Sequence, residues 1–240
     1  MLRIVRHSDR LVQLTWYGMV NAWLVREEDG LTLVDTGLPG SGAGIVRAAR
    51  ELGAPIARIA LTHGHLDKVG GLEGLRAHLP DALVAIGRRE ARLLLGDRRA
   101  EPGEPPFSPG PYFPRLRILA DRLVDAGDRI GSLLVIQSPG HTPGHVSWLD
   151  LRDRTLIAGD AFAGFGGLSV SGFVRPWFPI PALSTWDRAA ALISARTLSA
   201  LHPARLAMGH GDLVEGPVPI MDRALAEAEV HPAFGSGSGP

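Results

Sequence analysis

Four places in the chain put a metal-ligating or proton-moving side chain directly after an apolar run. IARIALT (56–62) leads into His63, His65 and Asp67 within HGHLDKVGG, and LLVIQS (133–138) leads into His141 within PGHTPGH. TLIAGD ends on Asp160, and RLAMGH ends on His210. Rigid scaffolds hold functional groups on the loops at the ends of their buried strands. Imidazole and carboxylate are ligands that zinc and other divalent transition metals accept, and the chain has no cysteine to offer instead. The H-x-H spacing lets two imidazoles converge on one ion, and Gly64 between them lets the backbone bend closely. Three neutral imidazoles leave a position open for water, whose pKa a bound metal lowers to about 7. A lone histidine or aspartate after a strand is ordinarily a surface or capping residue, so His7, His78, His202 and His231 are given no role. H-x-H-x-D at the end of a buried strand, echoed at three further strand ends, is a different case, because chance would have to repeat itself.

The elements that must position these groups follow from hydrophobic pattern. Segments 2–6, 11–16, 22–27 and 31–35 are short, apolar and bounded by breaks, which predicts strands, with EEDG (27–30) as the hairpin turn joining the last two. Residues 40–53 have helical spacing at Ile45, Val46, Ala49 and Leu52, with Gly53 as a stop. After the strand 56–62, a helix is expected from Gly70 to His78, then a strand at 83–87 and a helix at 88–96. Residues 97–116 are rich in Pro, Gly and charge and read as a surface loop. The second half predicts strands at 133–138, 146–151, 155–160 and 205–212, helices at 185–201 and 218–229, and a Gly-, Pro- and aromatic-rich loop at 162–183 over a site. Two packed sheets between helix layers would satisfy this order, as would other α/β layouts. One domain over 1–234 with a flexible GSGSGP tail (235–240) is the expected organisation.

Composition narrows the class of partner. Apolar residues make up 45% and charged residues 21%, the range of an ordinary globular protein. Lys plus Arg and Asp plus Glu both number 25, so no net charge draws the chain to nucleic acid or an anionic membrane. Without cysteine there is no disulfide, thiolate site or cysteine nucleophile. MLRIVRHSDR lacks the apolar run of a signal peptide, and no run of about 18 apolar residues occurs. A small-molecule substrate and a cytoplasmic location are expected, and a homodimer is compatible with the sequence.

The motifs together resemble those of the metallo-β-lactamase superfamily. THGHLDKVGG is similar to its H-x-H-x-D-H signature, SPGHTPGH to its second histidine motif, TLIAGDAF to the strand delivering a bridging aspartate, and MGHGD to the segment delivering the last histidine. LVDTG (33–37) resembles an early strand of the family, and the similarity runs in the family's order from about residue 20 to 230. The resemblance implies an α/β, four-layered αββα sandwich with metals at one edge. It implies that His63, His65 and His141 hold a first metal and that Asp67, Asp160 and His210 serve a second, with Asp160 bridging. It also implies that Asp35 and His145 orient the ligands rather than bind metal. The family's chemistry is attack by a metal-held hydroxide on an ester, lactone, thioester, lactam or phosphoester.

One position departs from that pattern. The residue after Asp67, usually a histidine, is Lys68, and a protonated lysine has three donors and no lone pair. The expectation is one tightly bound Zn2+, with Mn2+ or Fe2+ as alternatives, a weakened second site, and a charged Lys68 paired with an acidic neighbour. Asp67, Lys68 and Asp160 are the catalytic candidates. Trp16, Tyr17, Phe162, Phe165, Arg175 and Trp177, with Phe173 and Phe178, are candidates for an apolar substrate pocket with one cation. The leading function is hydrolysis of a small ester, lactone or thioester. The alternatives are a mononuclear-iron enzyme that oxidises sulfur compounds using His63, His141 and Asp160, a β-lactam or phosphoester hydrolase, and a non-catalytic binding module that Lys68 has disabled.

Overall fold

The central strands are buried on both sides, and their alternation divides them between two cores. In the computed structural model, which describes residues 1–108, 113–115, 120–173 and 183–230, Val12, Leu14 and Trp16 of one strand enter one core while Leu11 enters another. The same period of two sends Ala22 and Leu24 one way and Trp23 and Val25 the other. It also splits Leu156 from Ile157 and Leu206 from Ala207. Leu11, Trp23, Val34, Ala60 and Ala85 thus meet Leu133, Val135, Trp148, Ile157 and Ala207 in a core between two sheets.

The first sheet has the order β1 (Leu2–Arg6), β2 (Leu11–Trp16), β3 (Val20–Glu27), β4 (Gly30–Val34), β5 (Ile56–Ala60), β6 (Leu83–Gly87) and β7 (Arg122–Val124). β1 to β4 form an antiparallel meander, and β4 to β7 run parallel. Its outer face packs on α1 (Gly42–Glu51), α3 (Leu72–His78) and α4 (Arg88–Leu94) through Ile45, Ala48, Leu72, Leu75, Leu93 and Leu94. A single turn, α2 (Leu66–Val69), precedes α3.

The second sheet contains β8 (Arg129–Ile130), β9 (Leu133–Gln137), β10 (Val146–Asp150), β11 (Thr155–Ile157), β14 (Arg205–Ala207) and β15 (Val214–Glu215). β12 (Phe162–Ala163) and β13 (Ser169–Val170) form a small separate ribbon. Helices α5 (Arg188–Ala200) and α6 (Val218–Val230) cover the outer face with Ala195, Leu198, Met221, Ala224 and Leu225. α5 begins where Asp187 accepts from the Ala189 and Ala190 amides at 2.9 and 3.1 Å, an aspartate N-cap. The result is helices, sheet, sheet, helices: the expected four-layered αββα sandwich. No helix among the described residues is long and apolar enough to cross a membrane.

Three local expectations need correction. Helical structure after β5 starts at Leu66 rather than Gly70, so Asp67 and Lys68 sit on a helical turn. The strands expected at 155–160 and 205–212 stop at Ile157 and Ala207, which leaves Asp160 and His210 in the turns beyond. The 97–116 segment is not merely a surface loop, because Phe113 from it is buried in the first core. The expected tail lies outside the described residues.

Candidate metal centre

His63 and His65 emerge just past β5, and His141 lies between β9 and β10, so the two sheets each contribute to one cluster. His63 Nε2 and His65 Nδ1 lie 3.1 Å apart, and His65 Nδ1 and His141 Nε2 lie 2.9 Å apart. Asp160 Oδ2 is 3.6 Å from His63 Nε2 and 3.4 Å from His141 Nε2. Nitrogens bound tetrahedrally to one zinc at about 2.0–2.1 Å would be roughly 3.3 Å from each other. The four side chains are therefore gathered at the scale of a single coordination sphere.

The remote nitrogens fix which atoms point inward. The Thr62 hydroxyl donates to the Asp35 carboxylate, at 3.0 and 2.8 Å to its two oxygens, so it accepts from His63 Nδ1 at 3.0 Å. That leaves the His63 Nε2 lone pair facing the cluster. His141 Nδ1 meets Ser171 Oγ at 2.9 Å and Thr185 Oγ1 at 3.2 Å. Asp35 also accepts from the Thr62 amide at 2.8 Å, and burial raises its pKa to about 7 against the pull of Lys68 and Thr62. His145 Nε2 accepts from the Asp160 amide at 3.1 Å while its Nδ1 meets Ser138 Oγ at 2.9 Å, so this ring braces the turn that carries Asp160. Burial pushes His63 and His141 well below the ordinary histidine value, and His65 and His145 to about 4. At neutral pH the three inward rings are neutral, and His63 turns a lone pair towards the cluster.

The neighbouring cluster is built differently. Lys68 is wholly buried, and its ammonium pairs with Asp67 Oδ2, lies 3.1 Å from Asp160 Oδ2 and lies 3.2 Å from His210 Nε2. His210 Nε2 is 3.3 Å from both Asp67 Oδ2 and Asp160 Oδ2. His210 Nδ1 donates to the Met19 carbonyl at 2.8 Å. Burial opposes the Lys68 charge, but Asp160, Asp67 and Asp35 outweigh it and hold the pKa above the ordinary lysine value. Burial likewise opposes the Asp67 and Asp160 charges, and Lys68 together with His210 outweighs it, keeping both carboxyls well below their usual range. Burial and Lys68 disfavour a proton on His210, yet Asp160 and Asp67 raise it to about 9. Gly209 backs this cluster: a Cβ there would stand 2.1 Å from Asp160 Oδ1 and 2.7 Å from Lys68 Cε.

These donors fit a divalent metal ion. His63, His65, His141 and Asp160 form one set with ligating atoms within 4.8 Å of one another, and Asp67, Asp160 and His210 form a second. Asp160 Oδ2 is the atom that meets both sets, while its Oδ1, beside Gly209, is buried with no hydrogen-bond partner among the described residues. Such a buried acceptor needs a cation or a donor to offset its desolvation.

The expected aromatic pocket is only partly present. Trp16 and Phe162 pack in the cores of the first and second sheets, because both lie on buried strand faces, and this corrects their assignment to a substrate pocket. Phe165 is half-buried, and Phe173 packs against the second core. Tyr17 is exposed in the β2–β3 turn, beside the Met19 that His210 contacts. Arg175, Trp177 and Phe178 lie outside the described residues.

Several residues near the site were not singled out from the sequence. Phe113 packs edge-on against the His65 ring at 5.7 Å, and Phe107 packs on Phe113. Asn21 Nδ2 donates to the carbonyls of Met208 at 3.0 Å and Gly211 at 2.6 Å, gripping the turn that carries His210. Gln13 and Thr15 donate to Asn21 Oδ1 at 3.0 and 2.9 Å. The available signal was three amides and hydroxyls inside otherwise apolar strands. Glu90 is fully buried between the histidine-bearing loops, and burial raises it to about 7 against its bonds from Gly64, Thr142 and Gly144.

The chain matches the metallo-beta-lactamase superfamily over residues 15–210. It is 43% identical over 232 residues to YobT, an uncharacterized protein of Bacillus subtilis, covering 95% of this chain and 99% of that one. The probable metallo-hydrolase YflN of the same organism is 32% identical over 206 residues, or 78% of each chain. The hydroxyacylglutathione hydrolase of Aeromonas hydrophila is 31% identical over 152 residues, covering 61% of this chain and 48% of its own length, so that likeness spans about half of it. Among solved structures, the metallo-beta-lactamase from Pontibacter korlensis superposes with a TM-score of 0.72 at 16% identity, covering 96% of this chain and 100% of that one. The di-iron-bound form of TTHA1623 superposes with a TM-score of 0.64 at 27% identity, covering 85% and 93%.

Proposed function

The chain belongs to the metallo-beta-lactamase superfamily and is a metallo-hydrolase by that kinship; from this premise we propose that it hydrolyses a small ester, lactone or thioester with one tightly held divalent ion and Lys68 as a fixed cation beside it. The observation that carries this reading is the pair of adjoining clusters. Three neutral imidazole nitrogens and Asp160 gather at ligand spacing, and the Lys68 ammonium lies 3.1 Å from that same carboxylate.

His63, His65 and His141 would hold the ion, with Asp160 beside it. When bound, the ion lowers the pKa of water and polarises a carbonyl oxygen. Lys68 is anchored by Asp67 and Asp160 and keeps its proton, so it can donate to an oxygen that gains negative charge as water adds to a carbonyl. A fixed donor in a buried site needs little reorganisation as that charge develops. His210, tethered to Met19, shares the two carboxylates and limits their movement.

This charge arrangement favours acyl over phosphoryl substrates. A phosphoester in flight is commonly clamped by two metal ions, one on each side of the displacement. One ion and one ammonium suit the single negative charge of a tetrahedral acyl intermediate. Met19, whose carbonyl His210 contacts, and Tyr17 two residues before it in the same turn are exposed and offer an apolar edge for the acyl part. The likeness to a hydroxyacylglutathione hydrolase, an enzyme named for cleaving an acyl group from glutathione, supports including thioesters. Zinc and iron are both candidates for the ion, the second because of the di-iron form of TTHA1623.

The test is a panel of esters, lactones, thioesters, lactams and phosphoesters, run on protein loaded separately with Zn2+, Mn2+ and Fe2+. The highest kcat/KM is expected within the ester, lactone and thioester group. A phosphoester or lactam at the top of the panel, or oxygen uptake with iron, would contradict the reading.

A further inference from the structure

Glu90 is a carboxylate placed where an apolar side chain would be cheaper. It is fully buried in the first turn of α4, with helix and sheet around it. Burying a carboxylate is costly unless its oxygens are supplied with donors. Here Oε1 accepts from the Gly64 amide at 2.7 Å, and Oε2 accepts from the Thr142 hydroxyl at 2.9 Å and the Gly144 amide at 3.0 Å. Gly64 lies between His63 and His65, and Thr142 and Gly144 follow His141. One carboxylate therefore spans the two loops that bring the three imidazoles together from different sheets.

The surrounding backbone is shaped for this contact. A Cβ at residue 144 would stand 2.2 Å from the Glu90 amide nitrogen and 2.7 Å from its Oε2, so only glycine lets that loop approach. A Cβ at residue 64 would stand 2.7 Å from Phe113 and 2.9 Å from Leu94, which closes the other side. Among the described residues, the Val146 amide donating to the Thr62 carbonyl at 3.0 Å also joins these loops, beside the 2.9 Å approach of His65 Nδ1 to His141 Nε2. A ligand set must be held to about 0.5 Å to bind well, and partners outside the coordination sphere supply that rigidity.

We propose that Glu90 is a positioning residue that ties the His63–His65 loop to the His141 loop and thereby sets the affinity of the three-histidine site for its metal. The proposal rests on the reading of those histidines as ligands. Glu90→Gln keeps the shape but turns one acceptor oxygen into an NH2 group. That group must then face either the Gly64 or the Gly144 amide, leaving a buried donor opposite a donor. Thr142→Val removes a single hydrogen bond and leaves Glu90 its two amides.

The experiment measures the Zn2+ dissociation constant of the full chain by competition with a chelating indicator. The visible absorption bands of the Co2+ form and the melting temperature of the metal-free form are recorded alongside. Glu90→Gln is expected to bind Zn2+ about 10- to 100-fold more weakly, with altered Co2+ bands. Thr142→Val is expected to lose about 2- to 10-fold, the worth of one hydrogen bond. A lower metal-free melting temperature with wild-type Zn2+ affinity and Co2+ bands would overturn the proposal, because Glu90 would then be a structural staple only. If Glu90→Gln does not fold, Thr142→Val decides, and wild-type affinity there overturns it. Wild-type protein that takes up no Zn2+ or Co2+ would overturn the ligand assignment itself, an outcome distinct from failure of the Glu90 tie.

Discussion

The two halves of the site meet at Asp160 and solve opposite electrostatic problems. On one side, His63, His65 and His141 are buried, neutral rings whose inward nitrogens approach one another to 2.9 and 3.1 Å. Neutral imidazoles brought this close are suited to sharing a cation, and none of the described side chains on that side carries a positive charge. On the other side, Asp67 and Asp160 already have Lys68 between them and a protonated His210 alongside, so two negative charges face two positive ones. The first half gathers donors that could hold a cation, and the second already pairs its carboxylates with cationic side chains. A side chain can thus replace an ion in charge while removing the lone pair that would have bound it.

The comparison breaks most severely at the histidines. His141→Ala removes one of three converging nitrogens and is expected to abolish both metal uptake and hydrolysis. Wild-type metal content in that variant would sink the assignment of the first half. Asp160→Asn touches both halves and is expected to cost about 10²-fold or more in kcat, while the far-UV circular dichroism spectrum stays native. Loss of structure in proportion to loss of activity would make Asp160 a scaffold residue instead.

His210 gives the smallest effect, read in pH. Its pKa is about 9 in the fold against 6.5 for the free side chain, so the folded state binds the proton more tightly. The stability this contributes is complete below pH 6.5 and is lost as pH rises towards 9. The melting temperature of the metal-free protein should fall across that window, and His210→Ala should flatten the fall. An unchanged slope in the variant would contradict the charged His210 described above.

The cluster of candidate ligands was legible because it repeats a simple pattern, a polar residue at the end of an apolar strand, and His63, His65, His141, Asp160 and His210 all follow it. The sandwich was legible because β-strands buried on both faces leave apolar runs. What the pattern could not give was depth. Lys68 stood out as a departure, but only packing against Gly209 and the two carboxylates places its whole side chain inside. Glu90 follows two arginines at a helix start, where a carboxylate is ordinarily solvated, and its partners lie 26, 52 and 54 residues away. Trp16 and Phe162 misled for a related reason: aromatic side chains near a site motif serve the core as readily as a pocket.

We propose that Lys68 takes the place of a second metal. The most direct test of this is the number of ions that stay bound after Zn2+ loading and exhaustive dialysis, measured by elemental analysis for the wild type and for Lys68→His. One Zn2+ per chain is expected in the wild type and a value approaching two in Lys68→His, where a lone pair replaces the ammonium. Two firmly held ions in the wild type would contradict it, because Asp67, Asp160 and His210 would then be holding the second without help from residue 68.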